Sequence, residues 1–254
     1  MVNNHNKEIK TVAVIVAHPD DETLWAGGAI LQNPTWDWLI VSLCRASDAD
    51  RAPKFYKALK LFNAKGIMGN LDDGPAQIPL PEKDVEEWIL NLLPTQHFDL
   101  IITHNPLGEY TKHLRHEEVS KAVINLWAAD KISTDDMWVF AYEDGHKAYL
   151  PTAIKDATIF ESLIQNIWLK KYSIITETYG FSQDSWEAKT TPKAEAFWQF
   201  KHAKDAKEWL DINSVLPENT VTQSVMAQNA LKGVVYPQII DDQYFEREEK
   251  LMHL

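Results

Sequence analysis

Apolar runs alternate with amphipathic segments along the first 145 residues of the chain. The apolar runs are rich in β-branched residues and are short, which is typical of strands that are buried on both faces of a sheet. Four such runs stand out, at Thr11–Val16, Trp38–Cys44, Phe98–Thr103 and Met137–Tyr142. A fifth and shorter strand is predicted at 67–68, and the Asp-Asp-Gly-Pro sequence that follows it predicts a turn.

The segments between these runs have the spacing of helices. Apolar residues recur three and four positions apart within 51–65, 85–93 and 119–127, and the small residues of 23–31 suit a helix packed closely on a sheet. Strands that are separated by helices predict a mostly parallel sheet with right-handed crossovers. We therefore expect an α/β, Rossmann-like fold in which helices flank the sheet.

The alternation weakens after residue 150. Residues 154–175 and 193–210 predict only partial helices, the tail after residue 214 has no clear pattern, and we find no repeat or linker. We therefore expect a single domain over residues 1–254, with a Rossmann-like core at 1–150 and a C-terminal extension at 151–254 packed on it.

The composition limits which partners the chain can have. It carries 25 Lys and Arg against 37 Asp and Glu, a formal net charge of −12, which argues against nucleic acid or an anionic lipid surface as a partner. The single cysteine, Cys44, excludes an intramolecular disulfide and fits a reducing compartment. No stretch approaches the ~20 apolar residues of a membrane span, and the polar N-terminus lacks the apolar core of a secretory signal. We expect a cytoplasmic protein.

Charged residues are concentrated directly after the first predicted strand. The sequence Ala17-His18-Pro19-Asp20-Asp21-Glu22 places an imidazole and three carboxylates in one turn. Ligands of open α/β sheets bind at the carboxyl ends of the strands, where this turn lies. Clustering so much negative charge is costly unless a cation is bound among it, so the turn indicates a metal ion.

A second group of polar residues follows the strand at 98–103. His113 and His116 are three positions apart at the start of the next predicted helix, which puts both imidazoles on one side of its first turn. Together with His18 and Asp21 they make a His-Asp-His site with one position open for water, the composition of a catalytic zinc centre. A carboxylate beside such a centre can accept a proton from water that attacks a carbonyl, so the set of residues matches hydrolysis of an amide.

These motifs resemble those of the PIG-L/LmbE family of zinc-dependent N-deacetylases. The resemblance rests on Ala17–Leu24 with Gly27-Gly28, on Thr103-His104-Asn105-Pro106, and on His113-x-x-His116, and it covers about residues 10–145. It implies a hydrolase that removes an N-acetyl group from an N-acetylglucosamine-type amino sugar or conjugate. It also implies a small-molecule substrate, and a homo-oligomer as an expectation.

The resemblance assigns a role to each residue of the site. His18, Asp21 and His116 become the ligands of Zn²⁺, for which another divalent ion such as Fe²⁺ can substitute. Asp20 becomes the general base that acts on zinc-activated water. His113 becomes the imidazole that, when protonated, serves the oxyanion or the leaving group.

Two substrate contacts are also predicted. Arg51 stands where the family has an arginine near the substrate hydroxyls, and Trp25, three residues after the motif, is predicted to stack on a sugar. The sequence departs from the family at 45–49, where a threonine- and glycine-rich loop is common. It also departs at Leu114-Arg115, where the family often has Pro-Asp. These departures leave the zinc chemistry intact but make the substrate uncertain.

Other readings remain open on the sequence alone. The acidic turn is also what a capped helix start would look like. A metal-binding module of the same fold without catalysis, or a hydrolase of a non-sugar amide, would fit the altered substrate loops. A nucleotide-binding protein would need a glycine-rich phosphate turn after the first strand, and the acidic turn found there would repel phosphate unless a metal ion bridged the two.

Overall fold

The computed structural model describes residues 9–110 and 113–215, and eleven short strands are present there. They are β1 (Thr11–Val16), β2 (Asp37–Ser42), β3 (Lys65–Met68), β4 (His97–Phe98), β5 (Leu100–Thr103), β6 (Ser133–Thr134), β7 (Met137–Phe140), β8 (Tyr142–Glu143), β9 (Thr152–Ala153), β10 (Ile159–Ser162) and β11 (Ala194–Phe200).

The helices lie between these strands. They are α1 (Asp21–Gln32), α2 (Arg51–Phe62), α3 (Glu82–Leu92), α4 (Leu114–Ala128), α5 (Gln165–Ser173), a π-helical turn at Ile174–Thr178, α6 (Trp186–Thr190) and α7 (Ala203–Val215). Across the described ranges, no helix is both long and apolar enough to cross a bilayer.

A seven-stranded sheet with the order β10-β11-β7-β5-β1-β2-β3 organises the molecule. The five strands from β7 to β3 are parallel, while β10 and β11 are antiparallel to their neighbours. Two pairs of two-residue strands, β4 with β6 and β8 with β9, lie outside it. This mostly parallel sheet confirms the predicted α/β fold class.

The sheet has apolar packing on both faces, which explains why its central strand is apolar at every position. On β1, Ala13 and Ile15 belong to one core cluster, which includes residues of α3, α4 and α7. Val12, Val14 and Val16 belong to the other, with residues of α1, α2 and the π-helical turn. Successive side chains of a strand point to opposite faces, so a strand with both faces covered is apolar throughout.

The secondary structure predicted after residue 150 is only partly correct. Partial helices are confirmed at α5 and α7, but 159–162 and 194–200 are strands in the central sheet. Short apolar runs do not distinguish a buried strand from a helix segment. In β11 the buried Glu195 also breaks the apolar run that would have marked a strand. Strands from either side of residue 150 therefore share one sheet.

Candidate metal centre and active site

The two polar clusters meet because the strands that precede them are neighbours. β1 and β5 are parallel and adjacent, with Ile15 opposite Thr103, so the segments after both strands leave the same edge of the sheet. The turn after β1 is sharp: Asp20 has a φ of 117°, a conformation that is uncommon for any residue except glycine. This turn lets α1 begin at Asp21, directly beside the strand end.

Three donor atoms lie at the centre of the site. His18 Nδ1 is 3.2 Å from Asp21 Oδ2 and 3.1 Å from His116 Nε2, and the last two atoms are 3.3 Å apart. Ligand atoms of tetrahedral zinc, bound at 2.0–2.2 Å, are separated by about 3.3–3.6 Å. The three atoms therefore fit a divalent cation almost without adjustment. They are the ligand set that the resemblance implies.

Glu109 contacts Nδ1 of His116, the ring nitrogen that faces away from the candidate metal site. Its Oε2 lies 2.6 Å from His116 Nδ1, and its Oε1 accepts from His104 Nδ1 at 3.1 Å and from the Asn105 backbone N–H at 2.8 Å. Burial raises the pKa of Glu109, but the neighbouring His104 and His116 outweigh it and lower the pKa to about 2. An ionised carboxylate on Nδ1 fixes the tautomer of His116 that leaves Nε2 free to bind a metal.

Asp73 plays the same part for His18. Its Oδ1 lies 3.1 Å from His18 Nε2 and accepts from Gln77 Nε2 at 2.9 Å, while Arg45 Nε donates to Oδ2 at 3.0 Å. Partial burial raises the pKa of Asp73, but the hydrogen bond from His18 and those from Gln77 and Arg45 hold it well below its ordinary value. The sequence predicted only a turn here. The one feature of the sequence that could have indicated Asp73 is the pair of acidic residues after β3, at the same edge of the sheet as His18.

His104 lies beside the candidate ligands. The backbone N–H of Ala17 donates to its Nε2 at 2.9 Å, and its Nδ1 faces Glu109. The lone pair of Nε2 is therefore engaged, although that atom is only 3.4 Å from Asp21 Oδ2. Its ring stacks on His116 at a centroid distance of 3.9 Å. Two other groups also lie close enough together to hold a metal ion: Asp21 with His104 and His116, and His18 with His113 and His116. In the first of these, Nε2 of His104 is already engaged by the Ala17 N–H.

Asp20 borders the cleft beside the three donor atoms. Arg51 donates to its Oδ2 at 2.7 Å, and the guanidinium lies 4.6 Å from the centre of the Phe181 ring. Burial, together with the neighbouring Asp21 carboxylate, raises the pKa of Asp20 to about 8 against the opposing charge of Arg51. The turn itself is held by Glu22, whose Oε2 accepts from the Asp20 backbone N–H at 3.0 Å.

The ring of His113 packs against those of two candidate ligands, His18 and His116. Its ring stacks on His116 with centroids 4.2 Å apart, and it borders the cleft. Burial and the neighbouring imidazoles of His116 and His18 lower the pKa of His113 to about 3. Among the described residues none offers a hydrogen bond to its Nδ1. Arg115, in the position of the usual aspartate, is directed away toward Glu118 and the carbonyl of Ile78. Burial and the neighbouring imidazoles therefore favour the neutral form of His113 over the protonated form that the resemblance implies.

The prediction that Trp25 stacks on a sugar is wrong. Its side chain is fully buried, and its indole N–H donates to Asp21 Oδ1 at 3.3 Å. Trp25 is four positions after Asp21 in α1, so both side chains point to the same side of the helix, which here faces the interior. Trp25 therefore orients a candidate ligand and is closed to substrate. Arg51 does border the cleft, but its contact in the structure is with Asp20.

The site opens to solvent through a cleft of about 330 Å³, a volume within the range of about 300–1,000 Å³ that is usual for small-molecule sites. Charged and amide side chains line part of it, among them Arg45, Arg51, Asp73 and Gln77. Apolar and aromatic side chains line another part, including Leu24, Tyr110 and Trp186.

By sequence, the chain is similar to a viral protein. No family model matches it. It is 23% identical over 164 residues to an uncharacterized protein of Acanthamoeba polyphaga mimivirus, which is 59% of this chain and 70% of that protein. This relative gives no information about activity.

Solved structures are similar to the chain in fold. The N,N'-diacetylchitobiose deacetylase of Pyrococcus horikoshii has a TM-score of 0.59 at 15% identity, over 86% of this chain and 91% of that one. A conserved protein from Thermus thermophilus has a TM-score of 0.51 at 15% identity, over 75% and 94%. The 4-carboxy-2-hydroxymuconate hydratase of Pseudomonas putida has a TM-score of 0.50 at 15% identity, over 84% and 99%.

These likenesses establish the fold class that the resemblance to the PIG-L/LmbE family predicts: the chain is an α/β protein with the fold of a sugar deacetylase. The same fold also carries a hydratase, so the fold alone does not decide the reaction. The reaction has to be argued from the residues of the site.

Proposed function

We propose that the chain is a hydrolase that depends on a divalent metal ion and removes an N-acetyl group from an N-acetylglucosamine-type amino sugar or conjugate. One observation carries this proposal. His18 Nδ1, Asp21 Oδ2 and His116 Nε2 lie within 3.3 Å of one another, and the carboxylate of Asp20 and the imidazole of His113 border the same cleft. Candidate metal ligands together with a carboxylate and an imidazole in the same cleft are what hydrolysis of an amide requires.

His18, Asp21 and His116 would hold the ion, oriented by Asp73, Trp25 and Glu109 in turn. A bound zinc ion would supply a Lewis acid and lower the pKa of water to about 7. Two imidazoles and one carboxylate also suit Fe²⁺.

The remaining residues move the protons. Asp20 accepts the proton of the water that attacks the acetyl carbonyl, while Arg51 holds one of its two carboxylate oxygens at 2.7 Å. No described residue donates a hydrogen bond to the other oxygen, which is free to act as the base. The imidazole of His113 can donate an N–H to the developing oxyanion. The proton taken by Asp20 then goes to the nitrogen of the leaving amine, so the products are acetate and a free amino sugar.

Two alternatives are less well supported. A hydratase acting on a carboxylated substrate needs cations for the carboxylates, but both arginines that border the cleft are already engaged, Arg45 by Asp73 and Arg51 by Asp20. A binding module without catalysis has no need for Asp20, which sits in a strained backbone conformation. The site therefore favours hydrolysis of an uncharged amide.

The test is release of acetate from a panel of N-acetylglucosamine derivatives by the zinc-loaded protein. The panel contains the free sugar, N,N'-diacetylchitobiose, and malate- and inositol-linked forms. The matched variant is Asp20→Asn, because asparagine keeps the shape of the side chain and tolerates the positive φ of 117° at this position. We expect release from at least one sugar and its loss in the variant. No release from any sugar, with zinc bound, would refute the amino-sugar assignment.

A further inference from the structure

One wall of the cleft is built by residues from the C-terminal half of the chain. After the π-helical turn, Tyr179 donates its hydroxyl to Glu22 at 2.7 Å and Phe181 stacks on Arg51, which ties this segment to the turn after β1. Helix α6 follows, and its first two residues, Trp186 and Glu187, border the cleft. The sequence motifs covered only the other walls.

Trp186 presents an aromatic surface in the cleft. Its ring packs edge-to-face against Tyr110 with centroids 4.8 Å apart, yet 37% of the residue remains exposed. A ring that is held by a neighbour and still exposed loses little conformational freedom when a ligand covers it. Its electron-rich face attracts the partly positive C–H bonds of a sugar ring.

Glu187 adds a negative charge that nothing in the described structure neutralises. The other acids bordering the cleft all have cationic or imidazole partners: Asp20 pairs with Arg51, Asp73 with Arg45 and His18, and Asp21 with the imidazoles. Within residues 9–110 and 113–215, no hydrogen bond or ion pair reaches the carboxylate of Glu187. It is therefore free to accept hydrogen bonds from hydroxyl groups or an ammonium group, and it repels anions.

We propose that Trp186 and Glu187 form a subsite for the part of the substrate beyond the reacting N-acetyl sugar, and that this subsite selects an uncharged or cationic hydroxylated unit over an anionic one. The inference rests on the proposed function, since it takes the reacting amide to lie at the metal centre. It favours an oligosaccharide of amino sugars over conjugates with a carboxylate or a phosphate.

The contribution of Trp186 can be measured by binding, independently of turnover. Zinc-loaded Asp20→Asn protein is titrated calorimetrically with N-acetylglucosamine and with N,N'-diacetylchitobiose. We expect the disaccharide to bind about tenfold more tightly, and Trp186→Ala in the same background to remove this advantage while leaving the monosaccharide unchanged. Equal binding of the two sugars, an equal loss for both, or no binding of either would overturn the assignment.

The contribution of Glu187 is measured as a preference. The dissociation constant of malate-linked N-acetylglucosamine, divided by that of the disaccharide, should fall about fivefold in Glu187→Gln. Glutamine still accepts hydrogen bonds from hydroxyl groups but no longer repels the malate carboxylates. Glu161→Gln, an exposed charge on β10, is the matched control and should leave the ratio unchanged. An unchanged ratio in Glu187→Gln would contradict the proposal. Acetate release by the wild type is measured separately. If the subsite exists but the protein is not a deacetylase, the binding preferences appear without acetate release; if the protein is a deacetylase without this subsite, acetate is released but the preferences are absent.

Discussion

Replacing Glu109 by glutamine should weaken metal binding without touching a ligand. The carboxylate accepts three hydrogen bonds, from His116 Nδ1 at 2.6 Å, His104 Nδ1 at 3.1 Å and the Asn105 N–H at 2.8 Å. A glutamine has a single acceptor oxygen. If that oxygen keeps His104 and Asn105, the amide NH₂ faces His116 Nδ1. His116 then has to accept at Nδ1 and carry its proton on Nε2, the atom that should bind the metal.

The size of this effect follows from what such partners contribute elsewhere. Loss of a carboxylate that orients a metal-ligating histidine costs about 10–100-fold in metal affinity, or about 1.4–2.7 kcal/mol. We expect a loss in this range for Glu109→Gln. The loss of metal affinity should fall in the upper half of this range, because Glu109 is fully buried and water cannot replace the lost hydrogen-bond acceptor.

The assay is competition for Zn²⁺ between the metal-stripped protein and a chromophoric chelator at pH 7. Near-UV circular dichroism of the stripped variant establishes that it is folded before the titration. Glu87→Gln, an exposed residue of α3, is the matched control and should keep the wild-type dissociation constant. A folded Glu109→Gln protein that binds zinc within threefold of wild type would refute the role given to Glu109.

Three further predictions concern the scaffold around the site. Gly28→Ala should lower the free energy of unfolding by about 1–3 kcal/mol in a urea titration. A Cβ at this position would collide with a methyl group of Leu163 and would lie 2.9 Å from the carboxyl carbon of Glu195, which the Gly28 and Ala29 N–H groups hold in place. Gly27→Ala, with its nearest contact at 3.3 Å, should cost less, and equal costs would contradict this. Lys171→Met should destabilise the fold by about 3–5 kcal/mol, because it leaves the buried Glu195 carboxylate, now 2.6 Å from Lys171 Nζ, without its cation. Adding Glu195→Gln should recover part of the loss, and no recovery would show that the ion pair is not the cause. Cys44 is fully buried, and burial raises the pKa of its thiol. A thiol reagent should therefore modify Cys44 only after the protein unfolds. Rapid modification of the native protein would disprove this.

The parts of the site that the sequence revealed are those with local signals. His18, Asp20 and Asp21 lie within four consecutive positions after a strand, where buried charge needs a chemical reason. His113 and His116 were found because three-residue spacing at a helix start puts two imidazoles together. Their convergence on the first cluster followed from the parallel sheet.

The parts that were missed depend on contacts between distant segments. Asp73 and Glu109 become partners of the ligands only because the chain folds back, and neither has a spacing that indicates it. Trp25 was placed wrongly because closeness in sequence was taken as closeness to substrate, although its position four residues after Asp21 directs it inward. Trp186 comes from a segment whose pattern had no clear meaning before the fold was known.

The most direct test of the account is the recovery of activity with metal. Protein stripped of metal is given increasing zinc, and acetate released from the best substrate of the panel is measured beside zinc bound, for the wild type and Asp20→Asn. We predict that release returns in step with one bound zinc per chain, and that Asp20→Asn binds the same zinc but is slower by about 10²–10⁴-fold. Acetate release by the stripped protein, or undiminished release by the zinc-loaded variant, would contradict the central claim.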